Sequence, residues 1–135
     1  MSEVNRVVNV LNEAIQRIVI SISTNVTAEL IDNTPVDTGW ARANWVPQIG
    51  APFAGNSRVL SDDERRSAVG GQRSRQSSAV SGLFNYNVTQ GAIFITNNVP
   101  YIVRLNEGSS QKAPAGFVQQ AIRDGISGIA SARFA

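Results

Sequence analysis

The first thirty residues carry the most regular hydrophobic pattern in the chain. Val4, Val8, Leu11, Ile15, Ile18 and Ile22 recur at intervals of four and three in strict alternation, which lays them along one stripe of an α-helix. Val7, Ala14, Val19, Val26, Leu30 and Ile31 widen that stripe, while Glu3, Asn5, Arg6, Asn12, Glu13, Arg17, Asn25 and Glu29 fall mainly on the other faces. The pattern predicts a helix from about Ser2 to Ile31, roughly 45 Å long at 1.5 Å per residue, long for so small a domain. The β-branched run from Ile18 to Ser23 has weak helix propensity and offers a strand as the competing reading. Its period of two is brief, however, and the helical stripe passes through it.

Pro35 lacks an amide donor and biases Thr34 away from the α region, so the helix must end before it, at Asp32-Asn33. Val36-Asp37-Thr38-Gly39 then reads as a turn. The Asp37 carboxylate is placed to accept backbone amides two residues on, and Gly39 is free to take a positive φ. From Trp40 to Ile49 the chain alternates loosely and is interrupted by Pro47, which predicts an edge strand.

Residues 51–82 change character. Gly55, Gly70, Gly71 and Gly82, many serines and a dense set of charges leave few large apolar side chains, so the stretch reads as an extended loop inserted into the domain. Ser61 to Glu64 resembles a capping box opening a short helix toward Val69, and Ser74 to Leu83 has room for another turn or two. Gly70-Gly71 reads as a flexible hinge. So little apolar surface does not offset the entropy of fixing the rest, which points to ordering against a partner.

The apolar pattern resumes with Asn87-Val88-Thr89, a turn at Gln90-Gly91, and the β-branched segment Ala92 to Asn97, together predicting a hairpin. Tyr101 to Glu107 predicts a short helix stopped by Gly108. A polar loop over 109–112 leads to a last helix from Pro114 or Ala115 to about Ile129, with Phe117, Val118, Ala121, Ile122, Ile126 and Ile129 at core-facing spacing; Gly125 and Gly128 weaken its end. The order predicts one α+β domain over 1–135, its long N-terminal and C-terminal helices packed on a small antiparallel sheet.

Composition narrows the chemistry. The chain has neither Cys nor His, which removes thiol nucleophiles, disulfides, the usual zinc sites and the imidazole that most often moves protons at neutral pH. The longest nearly uncharged run, Ile18 to Ala28, is too short to span a bilayer, and the opening residues lack the order of a signal peptide; the expectation is a chain made and kept in a cytoplasm, with no membrane partner. The net charge is +2, from eleven Arg and one Lys against ten acids. That excess is small for a dedicated duplex binder.

The remaining candidates for catalysis are Asp37, Glu107, Asp124, Lys112, Ser109 and Ser110. A Ser-Lys pair needs a desolvated lysine, which a Ser-rich loop beside Gly108 does not readily supply. Asp62-Asp63-Glu64 suits a hard cation on paper, but carboxylates beside Arg65-Arg66 are more economically a helix start with its own counterions. No residue set calls for a cofactor, and the chemistry points away from an enzyme. The arginines Arg58, Arg65, Arg66, Arg73 and Arg75 support two readings: a solvated or protein-facing loop, or a surface that meets DNA phosphates. Trp40, Trp45, Tyr86 and Tyr101 read as core and interface packing ahead of base stacking.

Two blocks taken together, TPVDTGWARANW at Thr34 to Trp45 and ITNNVPYIVRLNEGSSQKAPAGFVQQAI at Ile95 to Ile122, resemble the tail-completion or neck proteins of tailed bacteriophages, including lambdoid tail components and relatives of minor tail protein Z. Where that pattern has Leu-Glu-x-Gly followed by an aromatic, this chain has Leu105-Asn106-Glu107-Gly108 and then Ser109, so that aromatic's contacts do not carry over. The resemblance implies a structural virion protein, assembled in the host cytoplasm into a hexameric or dodecameric ring at the head–tail junction. The ring would link connector or adaptor proteins to tail proteins around the channel through which genomic DNA passes without sequence readout. It further implies that Pro35, Asp37 and Gly39 form a structural corner, with Arg42 exposed beside it. Trp40, Arg42, Trp45, Tyr101, Arg104 and Pro114 would face neighbouring subunits or partners. A small DNA-binding protein using the arginines of 58–75 is the alternative.

Overall fold

A computed structural model describes residues 2–36, 39–55, 60–108 and 115–130. Helix α1 (Glu3–Asn33) is followed by the one-turn helix α2 (Trp40–Ala43), strand β1 (Trp45–Ile49), helix α3 (Asp62–Gly82), two 3₁₀ turns (Leu83–Asn85 and Val88–Gln90), strand β2 (Ile93–Asn97), the short helix α4 (Ile102–Asn106) and helix α5 (Phe117–Ala130). The architecture is the expected α+β: long N-terminal and C-terminal helices on a small antiparallel sheet.

Helix α1 begins where Ser2 accepts the amide of Asn5 at 3.2 Å, an N-cap that satisfies one of the first-turn donors. The β-branched run stays helical because its hydroxyls find partners inside the helix: Ser23 donates to the Val19 carbonyl at 2.7 Å, Thr24 to Ile20 at 2.8 Å and Thr27 to Ser23 at 2.6 Å. Bonded this way, Ser23 and Thr27 pack like apolar residues, and both are buried with Val26 and Leu30. The helix ends at Thr34, whose amide and hydroxyl both reach the Leu30 carbonyl.

Helix α5 crosses this buried face. A Cβ on Gly125 would lie 2.7 Å from a Val26 methyl and 2.8 Å from its Cα, so glycine is what allows the two backbones to approach. Val26, Leu30, Trp45, Phe117 and Ala121 make one core cluster; Trp40, Ala41 and Val99 make the second. Asn106 fixes the entry to α5, accepting from the Val118 amide through its side chain at 2.9 Å and from the Gly116 amide through its carbonyl at 2.7 Å.

Three expectations are corrected. Trp40 to Ala43 is a helical turn, because Trp40, Ala41 and Ala43 are all buried and a strand would send neighbours to opposite faces. Only Trp45 to Ile49 is extended. That strand pairs with Ile93 to Asn97, from Trp45 opposite Asn97 to Ile49 opposite Ile93. Residues 87–89 are therefore no strand of a hairpin: Asn87 accepts from the Thr89 amide at 2.9 Å and Gln90 from the Asn87 amide at 2.7 Å, closing a 3₁₀ turn instead. Most of the predicted excursion is one helix. The Ser61/Glu64 capping box forms as expected, but the helix continues through Gly70-Gly71 to Gly82.

Candidate interaction surfaces

Besides Val69, packed on the Trp40, Ala41 and Val99 cluster, what holds α3 down is mostly polar. Gln76, 7% exposed, donates from Nε2 to the carbonyls of Arg42 at 2.9 Å and Trp45 at 3.0 Å. Asn44 donates to Gln72 at 3.0 Å and accepts from Arg75 at 2.9 Å. These contacts tie the helix to α2, to Asn44 and to the first residue of β1. Their sequence signal is absent: Gln and Asn in a Ser/Gly-rich stretch look like solvated residues.

The arginines of 58–75 do not form one free basic surface. Arg58 lies outside the described residues. The Arg65 guanidinium sits 4.8 Å from the Trp40 ring and 5.0 Å from that of Tyr101 while reaching Asp62 at 3.3 Å. Arg75 lies 4.5 Å over Phe53, and burial lowers its proton affinity, from a starting value so high that the charge persists. Arg66 faces Asp63 at 3.6 Å. Arg73 is exposed, beside Gly39. Asp62 and Asp63 thus act as first-turn acids with arginine counterions, and no group of three His, Cys, Asp or Glu among the described residues is arranged to hold a metal.

The corner at the end of α1 uses Gly39 as expected and gives Arg42, Trp45 and Thr34 roles that the sequence did not assign. Gly39 takes φ 83° and its carbonyl accepts the Ala43 amide at 3.0 Å. Arg42, expected to be exposed, turns back and donates to the carbonyls of Asp32 and Thr34, both at 3.2 Å. A cation on the last carbonyls of a helix is favoured by hydrogen bonding and by the helix dipole. Trp45 donates from Nε1 to the Thr34 hydroxyl at 2.7 Å. Pro35 follows that hydroxyl directly; Asp37 lies outside the described residues.

Of the expected partner-facing residues, Trp40 at 3% and Trp45 at 6% exposure belong to the core. Tyr101 is half-buried against Trp40, with ring centroids 5.7 Å apart. Arg104 is exposed on α4. Pro114, Lys112, Ser109 and Ser110 lie outside the described residues. Asp124, on the exposed side of α5, accepts from Gln120 at 2.8 Å, and Glu107 is exposed beyond α4. A cleft of about 180 Å³ lies between α2 and α3, lined by Trp40, Asn44, Phe53, Gln72, Arg75 and Asn98.

The largest uncovered feature is the first half of α1. Val4 is 71% exposed, Val7 57%, Val8 47%, Leu11 55% and Ile15 49%. These are the residues of the regular stripe, and no described part of the chain covers them. At about 100° per residue, this stripe is centred roughly 90° around the helix from Ser23, Val26, Thr27 and Leu30, the face that packs on the domain. Along the stripe's own line, Ile22 is followed by exposed Asn25 and by Glu29. Helix α1 therefore carries two packing faces, one used internally and one left open. No helix among the described residues is long and apolar enough to cross a membrane.

The chain matches no family model, no curated protein and no solved structure.

Proposed function

We propose that this chain is a structural virion protein of a tailed bacteriophage, forming a homo-oligomeric ring at the head–tail junction that links connector to tail around the DNA channel. The observation that carries the reading is the open apolar stripe from Val4 to Ile15: a row of aliphatic side chains held in water on a well-capped helix calls for a protein surface to cover it. The resemblance of the 34–45 and 95–122 blocks to neck and tail-completion proteins supplies the kind of assembly. A head-to-tail contact whose rotation closes gives a ring, and repetition of one modest interface around it gives stability that no single contact holds.

The alternative, duplex binding by the arginines of 58–75, draws on less than their number suggests, since Arg65 and Arg75 lie against aromatic rings and Arg66 faces an acid. Native mass spectrometry and negative-stain imaging of the purified full chain test the proposal. A defined oligomer with an opening wide enough for duplex DNA is expected; a solitary chain that shifts on duplex DNA with steep salt dependence would overturn it in favour of the alternative.

A further inference from the structure

We infer that the open stripe of α1 is covered by the same stripe of other copies of this chain, so that the first halves of α1 gather side by side, parallel and in register, into a helical bundle. The inference rests on the ring reading for its geometry. In a cyclic assembly every copy of a residue lies at the same height along the axis, so steep helices related by the rotation meet parallel and in register.

The side chains argue for this occupant. Read as heptads, Val8, Ile15 and Ile22 take the a positions and Val4, Leu11 and Ile18 the d positions, the alternation that lets helices of like sequence interlock. Within the open half, β-branched Val8 and Ile15 at a and Leu11 at d suit parallel helices, while Ile22 packs inward against the core cluster of Val26, Leu30 and Trp45. The flanking e and g positions hold Asn5, Asn12 and Val19 on one side and Val7, Ala14 and Ser21 on the other. None is charged, so copies brought together meet no like-charge repulsion. Glu3, Arg6, Glu13 and Arg17 fall on the outer c and f positions, where a bundle leaves them in water.

The width of the face points the same way. A two-stranded seam needs a and d alone, whereas Val7 and Ala14 widen this face to roughly 120°, enough to be touched from two sides.

The lack of any native cysteine makes the test direct. In the full chain, L11C places the only thiol in the stripe and E13C places it on the opposite face; both native residues are exposed. A short bis-maleimide should join L11C copies into covalent dimers and leave E13C copies single. In parallel, the double variant V8E/I15E should lower the native mass toward that of a single chain in sedimentation, with the fluorescence of Trp40 and Trp45 unchanged, because the buried face starts at Ser23. If the wild-type chain assembles while L11C and E13C react alike, or the double variant keeps its mass, the bundle is refuted and the ring reading survives. If L11C links and the double variant dissociates but images show no open ring, the bundle stands and the ring reading falls. A wild-type chain that stays single at high micromolar concentration overturns both.

Discussion

The indole of Trp45 donates to the hydroxyl of Thr34 at 2.7 Å, and that hydroxyl donates in turn to the carbonyl of Leu30. One oxygen thus joins the first residue of β1 to the last turn of α1, eleven positions apart in a corner where both side chains are buried. Val at this position would keep the shape of Thr34 and remove the acceptor, leaving the Trp45 N–H without its partner. The expected result for Thr34→Val is a loss of about 1–3 kcal/mol, read as a lower denaturation midpoint. Thr34→Ser retains the hydroxyl and should restore most of it. Equal midpoints for Val and wild type would remove the hydroxyl from the account of the corner.

Gln76 acts in the same region from the other side, with two donors on two backbone carbonyls. Gln76→Leu fits a similar volume but strands both carbonyls, and is expected to destabilise the domain by about 2 kcal/mol. Amide exchange should rise first along α3, which few apolar contacts hold. The exposed neighbour Ser77→Ala should stay within about 0.5 kcal/mol of wild type.

Helix α3 also shows where reading from sequence reaches its end. The 4–3 alternation announces α1, and the spacing of Phe117, Ala121 and Ile122 announces α5, because in both an apolar period marks a face. Helix α3 has an inward face at the same spacing, Arg65, Val69, Gln72, Gln76 and Ala79, but that face is mostly polar, so no apolar period marks it in the sequence. The stripe was legible as a row of residues, but the division between its open first half and its packed end was not. What hid the second face of α1 was its chemistry, since Ser23, Thr27 and Thr34 look polar in the sequence and become core-compatible only when each hydroxyl bonds back to its own helix. For the same reason the corner's working parts, Arg42 on the helix carbonyls and Thr34 under Trp45, could not be named before the chain was seen to turn.

The Ser61/Glu64 capping box closes two donors at the start of α3, at 3.2 and 3.1 Å. Ser61→Ala should destabilise by about 1 kcal/mol, and Ser61→Asp, which restores an acceptor and adds a favourable charge at the N-terminus, should recover it. Comparing their denaturation midpoints checks the cap without touching the core.

The glycines give the sharpest contrast, because identical substitutions should have opposite signs. Gly70 and Gly71 lie within α3 with nothing within 4 Å of where a Cβ would stand. Alanine there gains helix propensity and narrows the unfolded ensemble, so Gly70→Ala and Gly71→Ala should each stabilise by about 0.4–1 kcal/mol. Gly125 is helical too, but its Cβ would lie 2.9 Å from the Val26 backbone nitrogen, and backbone cannot step aside as a side-chain tip can. Gly125→Ala must push α5 off α1, at about 1–3 kcal/mol. Gly39 fails for another reason: its space is open to 3.7 Å, yet φ 83° is left-handed, so Gly39→Ala should lose about 1–2 kcal/mol through backbone strain alone. Asparagine, which tolerates that region better, should lose less. Four alanine variants and one asparagine, compared by chemical denaturation, separate propensity, crowding and strain, and a stabilising Gly125→Ala would mean that α1 and α5 do not cross at Val26.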